Sequence, residues 1–246
     1  MADIDVYLRE LVARLGAVTD GELVGVYAGG SYALGAYEPG RSDIDVAAVV
    51  SAPARRALKD GIVAAVRHES LPCPARGLEL VVYRRDAVRV GTTGAGFELN
   101  LNTGRAMAFR ADIEADRAEA HWFPIDRSVL RDRGIALCGP PPGEVFGALP
   151  RPRLATVLVD SLRWHATAEA RGDDAVLNAC RAWRWAVEGV WSSKPAAGAW
   201  ALTQPGSPPL VAEALAARQG NGRLDPADVE SFLESVVRAV QEVAAA

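Results

Sequence analysis

Ile4, Leu8, Leu11, Val12 and Leu15 recur at three- and four-residue intervals, so the chain is expected to open with an amphipathic helix that stops near Gly16. Leu23 to Ala28 reads as a strand, and Asp43 to Val50, polar at its start and apolar beyond, reads as a second. A helix is expected from Pro53, carrying Leu58, Ile62, Ala65 and Val66 inward until Leu71-Pro72-Cys73-Pro74 ends it. Leu78 to Tyr83 is a third strand. The order helix, strand, strand, helix, strand predicts a mixed sheet in the N-terminal half.

Gly139-Pro140-Pro141-Pro142-Gly143 and Leu149-Pro150-Arg151-Pro152 cannot sustain helix or sheet, and they mark a domain boundary. Beyond it the period is helical: Leu154 to Arg171, Asp174 to Trp191, Ala196 to Leu202, and a last helix with Asp225 as N-cap and Pro226 at its first position. Val229, Phe232, Leu233, Val236, Val237, Val240 and Val243 are the apolar stripe of that last helix. The expected fold class is therefore α+β, with a mixed-sheet domain over 1–148 and a C-terminal α-helical bundle over 149–246.

The 246 residues, 50% of them hydrophobic, are enough for two modest cores. A net charge of −4 with scattered arginines argues against nucleic acid as a partner, and is compatible with a cationic small molecule. Cys73, Cys138 and Cys180 are odd in number and far apart, which suits a reducing compartment and neither a disulfide framework nor a zinc site. With no basic-then-apolar leader and no long apolar run, a cytoplasmic protein without membrane contact is expected.

The chemistry is concentrated between Gly29 and Val50. Gly29-Gly30-Ser31 forms a tight turn whose backbone N–H groups can approach phosphate oxygens, with the Ser31 hydroxyl as a further donor. Twelve positions after Ser31 comes Asp43-Ile44-Asp45, preceded by Ser42; two carboxylates two apart on a strand share a face and offer Mg²⁺ hard oxygen ligands. No Gly-Lys-Ser or Gly-Lys-Thr occurs, which excludes a P-loop.

Gly30-Ser31 followed by Asp43-x-Asp45 resembles the motif of the polymerase-beta-like nucleotidyltransferases. Further strings narrow the likeness to the aminoglycoside adenylyltransferases that modify streptomycin and spectinomycin. These are Gly77 to Val82, Phe97-Glu98-Leu99-Asn100, Arg133 to Pro141, Leu177 to Trp183, Ser193-Lys194-Pro195 and Gly198 to Leu202. The resemblance implies ATP and Mg²⁺ at Asp43 and Asp45, phosphate contacts from Gly30, Ser31 and Ser42, and Glu79 as the base that deprotonates the acceptor hydroxyl. It also implies that Lys194 reaches from the helical domain to the triphosphate, and that Asp173 and Asp174 meet the cationic groups of the antibiotic.

Each residue has a plainer reading too: Glu79 as a solvent-facing strand residue, Lys194 as a solvated surface charge, and Asp173 or Asp174 as an N-cap. The aromatic contacts of streptomycin binders are missing from Asn102 to Met107 and before the acidic turn, which leaves the antibiotic open. The expected activity is AMP transfer from ATP·Mg²⁺ to a hydroxyl of an aminoglycoside or aminocyclitol, by a monomer. The alternatives are adenylylation of a protein partner and a catalytically idle nucleotide-binding module.

Overall fold

The computed structural model describes residues 2–115, 121–167, 172–220 and 222–245. The chain divides into two compact units, residues 1–149 and 150–246. The first contains α1 (Ala2–Thr19), β1 (Leu23–Ala28), α2 (Gly30–Ala33), β2 (Ile44–Val50), α3 (Arg56–Val66), β3 (Leu78–Arg84) and α4 (Arg85–Arg89). It continues with β4 (Phe97–Gly104), β5 (Met107–Asp112), α5 (Trp122–Arg133), β6 (Ile135–Cys138) and α6 (Pro142–Val145). The strands form one sheet in the order β5-β4-β3-β2-β1-β6. β2 and β3 run parallel, and the other neighbouring pairs are antiparallel.

Alternation along the central strands sends side chains to two cores. Ile44, Val46, Ala48 and Val50 of β2, with Leu78, Leu80 and Val82 of β3, pack against Ile4, Leu8, Leu11 and Leu15 of α1 and Ile62 and Val66 of α3. Ala47, Val49 and Tyr83 point the other way, onto Phe123 and Leu130 of α5 and Val145 of α6. A strand apolar on both faces belongs at the centre of a covered sheet, which is where β2 lies.

The first helix does not stop at Gly16. A Cβ at Gly16 would meet nothing within 4 Å, so the glycine costs α1 only its lost propensity, about 1 kcal/mol. The helix ends at Asp20 and Gly21, both left-handed at φ 46° and 84°. The second expected helix starts at Arg56 rather than Pro53, because Ala54 N–H donates to Glu98 Oε2 at 3.2 Å outside the helix. The second expected strand starts at Ile44, with Asp43 just before it.

The second unit is all helical among its described residues: α7 (Arg151–Thr167), α8 (Gly172–Glu188), α9 (Lys194–Leu202), α10 (Leu210–Arg218) and α11 (Pro226–Ala245). The expected end of the first of these, residues 168–171, lies outside the described residues. α11 packs on α7 and α8 through buried Phe232, Leu233, Val236 and Val240. α9 lies close to α8 because Gly198 has no side chain: a Cβ there would sit 2.9 Å from Leu177 Cδ2. α8 ends three residues before the expected Trp191, where Gly189 turns left-handed at φ 71° and donates to Trp185 O at 2.8 Å. Asp225 does cap α11, its Oδ1 accepting from Ala227 N–H at 2.8 Å.

Candidate active site

The loop after β1 is pinned to the start of β2: Gly29 N–H donates to Asp45 O at 2.9 Å. Gly30, at φ 50°, lies against the Asp45 side chain so closely that an added Cβ would fall 1.6 Å from Asp45 Oδ2. Only glycine fits both the backbone conformation and that contact. The segment read as a tight turn is in fact one turn of helix, α2, in which Ala33 and Leu34 N–H donate to Gly29 and Gly30 O at 3.0 and 3.1 Å. Ser31 Oγ is buried there without a hydrogen-bond partner among the described residues. A buried orphan hydroxyl costs about 1–3 kcal/mol, a cost that a phosphate oxygen at that position would offset.

Ser42 is buried, and its hydroxyl is engaged locally. Its Oγ accepts from Glu38 N–H at 3.0 Å while Ser42 N–H donates to Glu38 O at 2.9 Å. Ser42 therefore closes the 38–42 loop. Below it, Arg76 N–H donates to Ser42 O at 3.2 Å and Ile44 N–H to Gly77 O at 2.9 Å, extending the β2–β3 pairing to Asp43.

In this parallel ladder Asp45 stands directly opposite Glu79. Residues on either side of both enter the α1/α3 core, so the two carboxylates share the other face. Burial, reinforced by the negative charges of Asp45, Asp43 and Asp126, pushes the Glu79 carboxyl from about 4.5 up to about 8, and Arg76 opposes the shift. Asp126 lies on α5 and was not singled out in the sequence, where a lone aspartate in a helix carries no motif. α5 itself is anchored by buried Arg127, which donates to Ala95, Thr92 and Gly94 O at 2.6, 2.9 and 2.7 Å.

Glu79 thus feels the charges of three other carboxylates against a single arginine, which makes the site short of positive charge. Among the described residues no three His, Cys, Asp or Glu side chains form a ready-made metal cage. Mg²⁺ does not need one, since it is commonly held by one or two carboxylates together with substrate phosphates. Asp43, Asp45 and the orphan Ser31 hydroxyl fit that mode.

The remaining candidates lie in the helical unit. Lys194 opens α9 directly after its N-cap Ser193, whose Oγ accepts from Ala196 N–H at 3.3 Å; the helix thus begins two residues earlier than expected. Lys194 Nζ is 3.1 Å from Asp174 Oδ1, and Arg218 Nη1 is 3.6 Å from the same oxygen. The structure thus brings Lys194 together with one of the two acidic residues expected to meet the acceptor. Asp173, in the same first turn of α8, is buried. Arg181 donates to Ser192 O at 3.0 Å and fixes the segment leading into Lys194.

The two halves match separate family models: residues 8–91 that of a nucleotidyltransferase domain, and residues 144–243 that of an aminoglycoside adenylyltransferase C-terminal domain. The chain is similar to aminoglycoside (3'') (9) adenylyltransferases from Shigella flexneri and Escherichia coli. Each is 27% identical over 213 residues, covering 82% of this chain and 79% of the relative. A relative of the same description from Rhizobium radiobacter is 28% identical over 213 residues, covering 81% and 78%. In fold it matches a spectinomycin adenyltransferase from Enterococcus faecialis solved with ATP and spectinomycin. The TM-score is 0.68 at 15% identity, over 96% of this chain and 98% of the other. The chain therefore carries a nucleotidyltransferase domain followed by an aminoglycoside adenylyltransferase C-terminal domain, in the fold of a spectinomycin adenyltransferase.

Proposed function

We propose that the protein transfers AMP from ATP to a hydroxyl of an aminoglycoside or aminocyclitol, releasing pyrophosphate. The observation that carries this reading is the convergence of Asp43, Asp45 and Glu79 beside the Gly30–Ser31 turn. Glu79 takes the proton of the acceptor hydroxyl; that oxygen bonds to the α-phosphorus as the bond from the α-phosphorus to the bridging oxygen breaks, and pyrophosphate leaves. A carboxyl raised to about 8 is a far stronger base than an ordinary one, which is what the deprotonation of an alcohol demands.

Asp43 and Asp45 would hold Mg²⁺, which when bound neutralises phosphate charge and supports the departing pyrophosphate. Gly30 makes room for the Asp45 carboxylate against the phosphate-binding loop, Ser31 donates its unused hydroxyl to the phosphates, and Ser42 keeps the loop closed. In the helical unit Lys194 is the cation offered to the triphosphate, while Asp173 and Asp174 offer charge to the ammonium groups of the acceptor. Asp126 adds to the negative field at Glu79 and so helps to keep its carboxyl basic.

The test is transfer of label from [α-³²P]ATP with Mg²⁺ to a panel including spectinomycin and streptomycin, followed by separation of labelled antibiotic from free AMP. Labelled antibiotic formed in step with pyrophosphate supports the reading. Label on a protein in a cell extract, with every antibiotic unlabelled, would replace it with protein adenylylation.

A further inference from the structure

β4 supplies a polar side chain that the reaction as described leaves unused. Asp45 pairs with Glu79, Glu79 with Asn102, and Asn102 with Arg110 of β5. Directly opposed residues project from the same face, and the intervening Ile44, Val46, Leu78, Leu80 and Leu101 all enter the core on the other. Asp45, Glu79, Asn102 and Arg110 therefore form one row at intervals of about 4.8 Å.

Along this row the side chains differ in how they are engaged. Asn100, next on the same face, directs its amide to Asp112 Oδ2 at 3.5 Å, and Arg110 is paired with Asp112 at 2.6 Å. Asn102 is half-buried, and among the described residues its amide has no hydrogen-bond partner. The orientation of the chemistry gives it a task. Phosphates and metal belong at Asp43 and Asp45, and in-line displacement brings the attacking oxygen in opposite the leaving pyrophosphate. Of the two strand neighbours of Glu79, one is the metal ligand Asp45, so the acceptor extends over the other.

We propose that Asn102 is an acceptor-positioning residue: its amide holds a polar group of the acceptor beside the hydroxyl deprotonated by Glu79. This rests on the AMP-transfer reading above. An amide both donates and accepts, so Asn102 can meet either a hydroxyl or an amine of the acceptor there.

The experiment is steady-state kinetics of wild type, Asn102→Ala and Asn102→Asp with ATP·Mg²⁺, using spectinomycin and streptomycin as acceptors, with a melting curve for each variant. Asn102→Ala should raise the acceptor KM roughly three- to tenfold while leaving the KM for ATP unchanged. Asn102→Asp keeps the shape and an accepting oxygen but adds a carboxylate opposite Glu79, so it should raise the acceptor KM less than Asn102→Ala while moving the pH profile of kcat upward. An unchanged acceptor KM in both variants overturns the assignment of Asn102 alone, as does an equal rise in the KM for ATP, which marks a merely structural role. Absence of adenylylation of either antibiotic by wild type overturns the activity and this inference together.

Discussion

Glu79→Gln should do two opposite things at once: remove turnover, and stabilise the metal-free protein at alkaline pH. The folded protein holds this carboxyl at about 8 against about 4.5 ordinarily, so folding favours the protonated form. The stability that Glu79 lends is fully present below pH 4.5, and is lost as pH rises through 8. At 1.36 kcal/mol per pKa unit the loss is at most about 5 kcal/mol, and movement of the neighbouring carboxylates apart reduces it to about 2–3 kcal/mol. Glutamine copies the protonated shape at every pH, so it avoids the loss. For a chain of this size that corresponds to a Tm roughly 5–10 °C above wild type at pH 9, with the two curves meeting near pH 5. Thermal melting from pH 4.5 to 9 in chelator measures it, and added Mg²⁺ should narrow the gap by stabilising the ionised cluster of the wild type. Turnover should fall by roughly 10²–10⁴. Parallel stability profiles for the two proteins would refute the placement of Glu79 among uncompensated carboxylates, and undiminished turnover would refute its role as base.

Asp43→Asn and Asp45→Asn should each abolish AMP transfer at saturating Mg²⁺ with circular dichroism unchanged, since asparagine keeps the volume and loses the charge. Gly30→Ala should cost about 1–2 kcal/mol in backbone strain and, by displacing the Asp45 carboxylate, lower kcat about 100-fold; denaturant melts and kinetics report the two effects separately. Arg127→Met leaves the carbonyls of Thr92, Gly94 and Ala95 without their donor, and should destabilise the protein by about 3 kcal/mol in urea unfolding. Lys194→Ala should raise the KM for ATP roughly tenfold or more if the lysine serves the triphosphate, whereas an unchanged value would mean that it serves only to hold Asp174.

The parts legible in the sequence are those with their own local signal. The stripe from Ile4 to Leu15 and the two-sided apolar run of β2 gave helix and strand because burial enforces their period. The run Phe97, Leu99, Leu101, Thr103 is also a buried alternation that marks β4, and only its first half, Phe97 to Asn100, belongs to the family likeness. β5 and β6 carry little such pattern, since they edge the sheet and are largely exposed. Asp43 and Asp45 stand out in the sequence as a short motif, whereas Glu79 is reached only through the family likeness, and the parallel pairing of two strands brings it opposite Asp45. Nothing local announces Asp126, which reaches them from a helix, or the pairing of Asp174 with a lysine 20 positions away, because tertiary packing alone creates those encounters.

The order of strands separates what this sheet can change from what it cannot. Asp45 and Glu79 stand on strands covered on both faces, with Gly30 wedged against the first, so a substitution there disturbs packing and chemistry together. Asn102 and Arg110 stand one and two strands further out, toward an exposed edge where replacing a side chain disturbs little else. A library randomised at Asn100, Asn102, Arg110 and Asp112 should therefore return many folded enzymes with shifted acceptor preference, whereas one randomised at Gly30, Asp45 and Glu79 should return almost none. The same scaffold can follow a changing acceptor from its rim while its centre stays fixed.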